Sequence, residues 1–188
     1  DVLAETLSGC ANVDLIFGDI LRQDIHALAA RHFAGLRPVV CANLPYNVTT
    51  PVLTALIESG EFDTITVMIQ REVARRICAP ANTPDYGAFG IFVQWYMTCE
   101  LLFDVAPGCF IPQPKVTSSV IRLTRRAEKP YPVRDEALFF RIIRAAFNQR
   151  RKTLVNALSA GLGLDKSDIE HAVTARGLDA RVRAEALD

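Results

Sequence analysis

The sequence predicts an α/β fold in which a doubly wound, mostly parallel sheet with an antiparallel edge hairpin precedes a small, all-helical domain. Three observations support this prediction. Short apolar runs alternate with segments of helical spacing, two strand-like runs flank a proline-rich loop, and only helical patterns remain beyond Pro130. We place the boundary so that residues 1–128 form the α/β domain and residues 129–188 form the helical domain.

The first half of the chain alternates between strand and helix patterns. Val13–Ile20 and Pro38–Leu44 are apolar runs closed by polar turn residues, as is typical of buried parallel strands. Residues 22–36 between them have helix-compatible spacing, and the segment from Thr50 has a threonine cap, an early proline and a terminal glycine. The remaining elements are a buried strand and two helices: Phe62–Gln70, Arg71–Cys78 and Phe89–Met97.

The pattern changes after Cys99. Two strand-like runs, Glu100–Val105 and Val116–Leu123, flank the proline-rich segment PGCFIPQPK, which predicts the antiparallel hairpin at the edge of the sheet. Beyond Pro132 the apolar residues recur at helical spacing. We predict three helices there, around Leu138–Phe147, Thr153–Leu158 and Ile169–Ala175.

Composition restricts the class of protein. No apolar run is long enough to cross a membrane, and the first residues lack the basic and then apolar layout of a signal peptide, so we expect a cytoplasmic protein. The cysteines stand singly in apolar surroundings, which favours reduced, buried thiols over disulfides or a metal site. These are Cys10, Cys41, Cys78, Cys99 and Cys109.

The net charge of zero hides an uneven distribution. From Ile111 to Lys152 there are eleven Lys and Arg residues against three Asp and Glu residues, whereas the remainder has ten against eighteen. A basic segment on an otherwise acidic chain is typical of a surface that contacts phosphate groups. The alternative is that these charges lie on solvated helix faces.

The strongest local signal is the sequence NLPY at Asn43–Tyr46, which follows the second predicted strand. Doubly wound sheets bind ligands at the carboxyl ends of their strands. The side-chain oxygen of Asn43 and a backbone carbonyl can each accept one hydrogen of an exocyclic amine, and Pro45 stiffens the turn and removes a competing donor. Tyr46 offers a flat face for a base, and Phe110 could cover the other face. The alternative is a plain strand-to-turn transition with a packed tyrosine.

Four sequence blocks stand out along the chain. These are NLPYNVTTPVL (Asn43–Leu53), QREV (Gln70–Val73), PGCFIPQPKVTSSVIRL (Pro107–Leu123) and FNQRRKTLVNAL (Phe147–Leu158). In these blocks and their order, and over roughly residues 1–185, the chain resembles the KsgA family of ribosomal RNA adenine dimethyltransferases.

This resemblance implies a Rossmann-like class I methyltransferase domain followed by a helical domain that binds ribosomal RNA. It implies S-adenosylmethionine as the co-substrate, no metal, and a monomeric enzyme when full length. The implied reaction adds two methyl groups to N6 of each of two adjacent adenosines in the 3′-terminal hairpin loop of small-subunit ribosomal RNA.

The resemblance also assigns roles to individual residues. Asn43 and the carbonyl of Leu44 would accept the hydrogens of the target amine, Pro45 would stiffen the turn, and Tyr46 and Phe110 would hold the base between them. For the co-substrate, it implies contacts from Asn43 and from an acidic residue, Asp19, which would touch the adenine amino group. Without the resemblance, a Gly-Asp pair at the end of a strand more often indicates a helix cap or a turn.

A dense polar and basic run lies between two predicted helices. Arginine can pair with phosphate through two hydrogen bonds and lysine adds a point charge, so we expect these residues to bind RNA, although a charged turn between helices is the alternative. The Arg125–Arg126 pair could extend the same surface. The predicted RNA-binding residues are Lys115, Asn148, Gln149, Arg150, Arg151 and Lys152.

One expected part of the family pattern does not occur in this sequence. The family has a glycine-rich loop after its first strand and an acidic residue after its second, and Asp1 lies in what resembles the helix that follows, so we expect the chain to be incomplete at its amino terminus. Two alternatives to the small-subunit enzyme remain. One is the related large-subunit methyltransferase that confers antibiotic resistance, and the other is a noncatalytic RNA-binding or assembly factor.

Overall fold

The computed structural model describes residues 2–187, which form an α/β fold with a mixed sheet. The strands are β1 (Val39–Asn43), β2 (Thr64–Gln70), β3 (Met97–Val105) and β4 (Ser118–Arg125). The helices are α1 (Val2–Thr6), α2 (Ile25–His32), α3 (Thr49–Glu58), α4 (Arg71–Cys78), α5 (Ala88–Tyr96), α6 (Glu136–Phe147), α7 (Leu154–Leu162) and α8 (Lys166–Thr174). Short 3-10 turns lie at Ile20–Arg22, Tyr46–Val48, Pro107–Cys109 and Ala184–Ala186.

The four strands of the described residues lie in the order β1-β2-β4-β3. β1 pairs with β2 in parallel, whereas β4 is antiparallel to both β2 and β3. The predicted antiparallel hairpin at the edge of the sheet is therefore confirmed. The described sheet is mixed: β1, β2 and β3 run in the same direction, and β4 runs against them because it turns back after the proline-rich loop and inserts between β2 and β3.

The prediction of a buried strand at Val13–Ile20 is wrong. Residues 13–17 have no regular structure, and Ile16 and Phe17 are 52% and 66% exposed. A strand requires a neighbour that completes its hydrogen-bond ladder, and no strand of residues 2–187 pairs with this segment. The segment ends in the turn Ile20–Arg22 instead.

The strand predicted at Pro38–Leu44 is confirmed as β1, but it is not buried. β1 lies at the edge of the described sheet, and Val39 is 60% exposed. The helix predicted from Thr50 is confirmed as α3, although its cap differs: the helix begins at Thr49, and Val48 at the cap position makes no side-chain hydrogen bond. The other predicted strands and helices also form, with small shifts of their ends.

The main core lies between the central strands and helices α3, α4 and α5. On β2 every second residue is buried, so that Ile65, Val67 and Ile69 are less than 2% exposed. Helices α4 and α5 approach so closely that a Cβ atom on Gly90 would lie 2.5 Å from the carbonyl oxygen of Arg76. This core supports the strands whose ends carry the loops of the candidate site.

Helices α6, α7 and α8 have an apolar cluster of their own. The cap residues Asp135 and Thr153 accept hydrogen bonds from backbone N–H groups at the starts of α6 and α7, and Gly163, with a φ of 68°, ends α7. The three predicted helices are therefore confirmed. The cluster comprises Ala146, Leu154, Val155, Ile169, Val173 and Ala184.

Aromatic side chains join α6 to α5. The ring of Phe140 lies 5.6 Å from that of Phe92 and 6.0 Å from that of Tyr96. The Tyr96 hydroxyl donates a hydrogen bond to Glu136, whose other carboxylate oxygen lies 3.3 Å from the Nζ of Lys129. The hydrogen bond from the Tyr96 hydroxyl is the main cause that holds the pKa of Glu136 below its ordinary value, and the charge of Lys129 lowers it as well.

All five cysteines are free thiols, but the prediction that they are buried is wrong: Cys10, Cys41 and Cys109 are exposed, and Cys78 and Cys99 are half-buried. None of the helices in residues 2–187 is long and apolar enough to cross a membrane.

Candidate functional site

The candidate site lies at one end of the sheet, where three chain segments meet. Asn43 is the last residue of β1 and pairs with Met68 of β2. Ser118, the first residue of β4, pairs with Gln70 of β2 and with Val105 of β3. The turn after β1, the proline-rich loop between β3 and β4, and the start of β4 therefore share this end. The expected position of the NLPY sequence at the carboxyl end of a strand is observed.

The NLPY turn presents hydrogen-bond acceptors that the protein does not use. Asn43 is exposed, and the buried Leu44 donates its N–H to the carbonyl oxygen of Met68 at 3.1 Å. The Pro45 carbonyl accepts from the N–H of Val48 at 3.2 Å, which closes the turn. Within residues 2–187, neither the Asn43 side chain nor the Leu44 carbonyl oxygen has a hydrogen-bond partner. Both can accept hydrogens from a ligand.

The two predicted aromatic residues come from different segments, the NLPY turn and the proline-rich loop. Tyr46 is half-buried, and its hydroxyl lies 2.7 Å from the Oγ of Ser118. Phe110 is also half-buried, on the proline-rich loop, and its N–H donates to the carbonyl of Pro107 at 3.2 Å. Neither ring contacts another aromatic ring of the described residues, so neither has an aromatic partner within the protein.

Two consecutive buried serines at the start of β4 are part of the site and were not predicted. Ser118 contacts Tyr46, whereas Ser119 donates a hydrogen bond of 2.5 Å to the carboxylate of Asp104. The guanidinium of Arg71 lies 3.8 Å from the same carboxylate. Both serines are fully buried. Two adjacent hydroxyl residues in an apolar strand were the available signal, because buried hydroxyls require partners.

Asp19 lies on a 3-10 turn that packs against α3, the helix that follows Tyr46. One oxygen of its carboxylate accepts from the N–H of Leu21 at 3.0 Å, and the other lies 3.8 Å from the Nε of Arg22. The residue therefore caps the turn, as the simpler interpretation of Gly-Asp expected. Its side chain is 53% exposed and keeps acceptor capacity for a ligand.

The structure separates the predicted RNA-binding residues into two groups. Asn148, Gln149, Arg151 and Lys152 are exposed on the turn between α6 and α7, and Lys115 is exposed on the proline-rich loop. Arg150 is also exposed, but it donates hydrogen bonds to the carbonyls of Pro84 and Tyr86 and lies 3.9 Å from Glu185. Its guanidinium therefore joins the turn to the loop that precedes α5.

The suggestion that Arg125 and Arg126 extend the basic surface is wrong. Arg125 donates to the carbonyls of Phe62 and Ile57 at 3.1 and 3.0 Å, and Arg126 donates to the carbonyl of Gln94 at 2.8 Å. Both guanidinium groups bind within the protein, because they donate hydrogen bonds to backbone carbonyl oxygens at the ends of core elements.

A basic cleft of about 790 Å³ lies between α5 and the α6–α7 pair. Sequence reasoning missed it because its arginines come from α4, α6 and the following turn, which meet only in three dimensions. Asp85 is the acidic residue among those that line it. The basic residues in its lining are Arg76, Arg141, Arg144 and Arg150. Within residues 2–187, no group of three or more His, Cys, Asp or Glu side chains is placed to hold a metal ion.

Comparison with known proteins identifies relatives of the whole chain. Residues 1–185 match the family described as ribosomal RNA adenine dimethylase. The chain is 46% identical over 192 residues to the ribosomal RNA small subunit methyltransferase A of Geobacillus thermodenitrificans (strain NG80-2), covering 100% of this chain and 66% of the relative. It is 45% identical to the protein of that name from Alkaliphilus oremlandii (strain OhILAs), covering 99% and 66%. The chain thus spans about two thirds of the length of these relatives.

Solved structures share the fold. A dimethyladenosine transferase from Plasmodium falciparum superimposes with a TM-score of 0.75 at 22% identity, covering 97% of this chain and 70% of that one. The 23S rRNA methyltransferase ErmE gives a TM-score of 0.64 at 23% identity, covering 98% and 73%. The family match and the sequence identities confirm the resemblance that the four sequence blocks indicated: this chain belongs to the ribosomal RNA adenine dimethylase family.

Proposed function

We propose that the protein containing this chain transfers methyl groups from S-adenosylmethionine to N6 of two adjacent adenosines in the 3′-terminal hairpin loop of small-subunit ribosomal RNA. The product is N6,N6-dimethyladenosine, formed during ribosome assembly. One observation carries the proposal: Asn43 and the Leu44 carbonyl present unused acceptors at the end of β1. The names of the relatives, at 42–46% identity, support the small ribosomal subunit as the source of the substrate.

The acceptors address the main chemical difficulty of the reaction. The lone pair of adenine N6 is delocalised into the ring, which makes the nitrogen a poor nucleophile. If the Asn43 side-chain oxygen and the Leu44 carbonyl each accept one N6 hydrogen, the nitrogen becomes pyramidal and its lone pair localises. Pro45 has no N–H that could compete for these acceptors. The turn 43–48 contains no His, Asp or Glu, so we propose that the displaced proton leaves to water.

The target base must leave its stack before it can reach these acceptors. We propose that Tyr46 and Phe110 receive the base between their rings. The two side chains reach the same end of the sheet from different segments, and neither ring has an aromatic partner in the described chain. Stacking of this kind tolerates any base, so the hydrogen bonds to N6 are what favour a base with an exocyclic amine.

Residues of this chain could contact part of the co-substrate, S-adenosylmethionine. S-adenosylmethionine supplies an electrophilic methyl group on a sulfonium. Asp19, whose carboxylate is half-exposed and retains acceptor capacity, would accept from the adenine amino group of the co-substrate, and Asn43 would contact it at the methyl end. No Gly-x-Gly pattern precedes Asn43 in this sequence, so the residues present supply no counterpart of the family's glycine-rich loop.

We propose that residues 129–188 form an RNA-binding domain. Its support is the exposed basic turn and the adjoining cleft, where cations can contact phosphate groups and so position the RNA without selecting a sequence. Arg151 and Lys152, together with Asn148, Gln149 and Lys115, face solvent, and Arg150 lines the cleft while it holds the neighbouring loop. We expect the full-length protein to act as a monomer in the cytoplasm.

The test uses the complete gene product with radiolabelled S-adenosylmethionine. Immature small subunits and small-subunit ribosomal RNA are the expected substrates, and large-subunit RNA is the matched control. We expect N6,N6-dimethyladenosine after nuclease digestion and mass spectrometry, and no incorporation when the two adjacent adenosines are replaced by guanosines. Methylation of large-subunit RNA instead would favour the resistance-type enzyme. RNA binding without methyl transfer would favour the noncatalytic assembly factor.

A further inference from the structure

Tyr46 and Ser118 form a hydrogen bond across 72 positions of the chain, with 2.7 Å between the phenol oxygen and the serine Oγ. Tyr46 lies on the turn that follows β1, whereas Ser118 is the first residue of β4. Ser118 is 0% exposed, while Tyr46 is half-buried. The bond therefore joins a half-buried residue of the candidate site to a fully buried residue of the sheet.

Ser118 is held on both sides. Its backbone pairs with Gln70 of β2 and with Val105 of β3, and the preceding carbonyl, of Thr117, accepts from the N–H of Arg71 at 3.0 Å. A buried hydroxyl without a partner is costly, and within residues 2–187 the phenol of Tyr46 is the hydrogen-bond partner of this one. The sheet thus restrains the serine, and the serine restrains the tyrosine.

The geometry of tyrosine determines what the bond can do. The Cβ atom and the phenol oxygen both lie on the long axis of the ring, so fixing the oxygen fixes the direction of that axis and hence the χ1 rotamer of Tyr46. The faces of the ring are not used by the bond. A phenylalanine would offer the same faces but could not be held in this way.

We propose that Ser118 is a positioning residue for methyl transfer: it fixes the Tyr46 ring in the orientation on which the target base stacks. Residues 111–117 connect Ser118 to Phe110, so the bond also ties the Tyr46 turn to the loop that carries the second ring. This inference rests on the proposed function, because it assigns Tyr46 and Phe110 to the target base.

The test is a double-mutant cycle in the complete gene product, using single-turnover methylation of the small-subunit hairpin. Ser118→Ala and Tyr46→Phe each remove the same neutral hydrogen bond, and each should slow methyl transfer by about three- to tenfold. RNA affinity should stay within about twofold, because phosphate contacts dominate it. The double variant should be no slower than the slower single variant, and Ser118→Thr, which keeps the hydroxyl, should restore most of the rate.

Ser119→Ala is the matched control, because it removes an equally buried hydroxyl that bonds to Asp104 and not to Tyr46. In a double variant with Tyr46→Phe, the two losses of methyl-transfer rate should be additive, unlike those of Ser118→Ala and Tyr46→Phe. A second measurement separates positioning from folding: 2-aminopurine at the target position should fluoresce more strongly in Ser118→Ala, because a loosened ring stacks less well, while the melting temperature is compared in parallel.

Several outcomes would overturn the inference. A normal rate in Ser118→Ala, or additive losses in the double variant, would show that the bond does not position Tyr46. If Ser118→Ala does not fold, Tyr46→Phe and Ser118→Thr carry the test, and a normal rate in Tyr46→Phe would refute it. Each of these results leaves the proposed function intact. Absence of methyl transfer in the unmodified protein would instead refute the proposed function and this inference together.

Discussion

Replacing Asn43 by alanine should separate chemistry from stability. The change removes one of the two proposed acceptors for the N6 hydrogens and leaves the Leu44 carbonyl in place. Loss of one preorganised polar group at a reacting centre typically lowers turnover by about a hundred- to a thousandfold. Asn43 is exposed and its side chain has no hydrogen-bond partner in residues 2–187, so the free energy of unfolding should change by at most about 0.5 kcal/mol.

The assay is single-turnover methylation of small-subunit RNA, with thermal unfolding and RNA binding measured on the same preparation. Asn47→Ala is the matched control, because Asn47 is an exposed asparagine four positions further along, on the turn that follows the NLPY proline. We expect near-normal turnover for the control and RNA affinity within a few fold for both variants. Turnover of Asn43→Ala within about threefold of normal would refute the acceptor role, and a large loss of stability would refute the inference that the side chain is unpartnered.

Three further predictions follow from contacts described above. Neutralising Arg151 and Lys152 together should reduce the log–log salt dependence of RNA binding by up to about two units, since each phosphate contact contributes about one; an unchanged slope would make this a solvated turn. Gly90→Ala should lower the free energy of unfolding by about 1–3 kcal/mol, because its Cβ would meet the α4 backbone at 2.5 Å, whereas Gly87→Ala has open space and should be nearly neutral in urea unfolding. Glu136 has a lowered pKa, so its contribution to stability is present above the ordinary glutamate pKa and is lost as the pH falls through the lower, folded-state value. Acid unfolding of Glu136→Gln should therefore lack this component, and identical stability–pH curves for both proteins would argue against it.

Much of the fold and the position of the candidate site could be predicted from the sequence. Alternating burial along β2 and the helical spacing of α3 and α4 depend on neighbours a few positions away, so local patterns were sufficient for them. The NLPY sequence after an apolar run placed Asn43 at a strand end in the same way. The four blocks of family resemblance then indicated the class of reaction, as the family match confirmed.

Only the tertiary structure decided which distant groups become partners. The apolar run from Val13 is as strand-like as β1, yet it forms no strand, because a strand exists only where another chain segment completes its hydrogen bonds. Arg125 resembles a surface cation in the sequence, but backbone carbonyls more than 60 positions away accept its hydrogen bonds. The bond from Tyr46 to Ser118 has the same origin. Periodicity records which face of an element is apolar, whereas the partner of a polar group is fixed by how the elements pack.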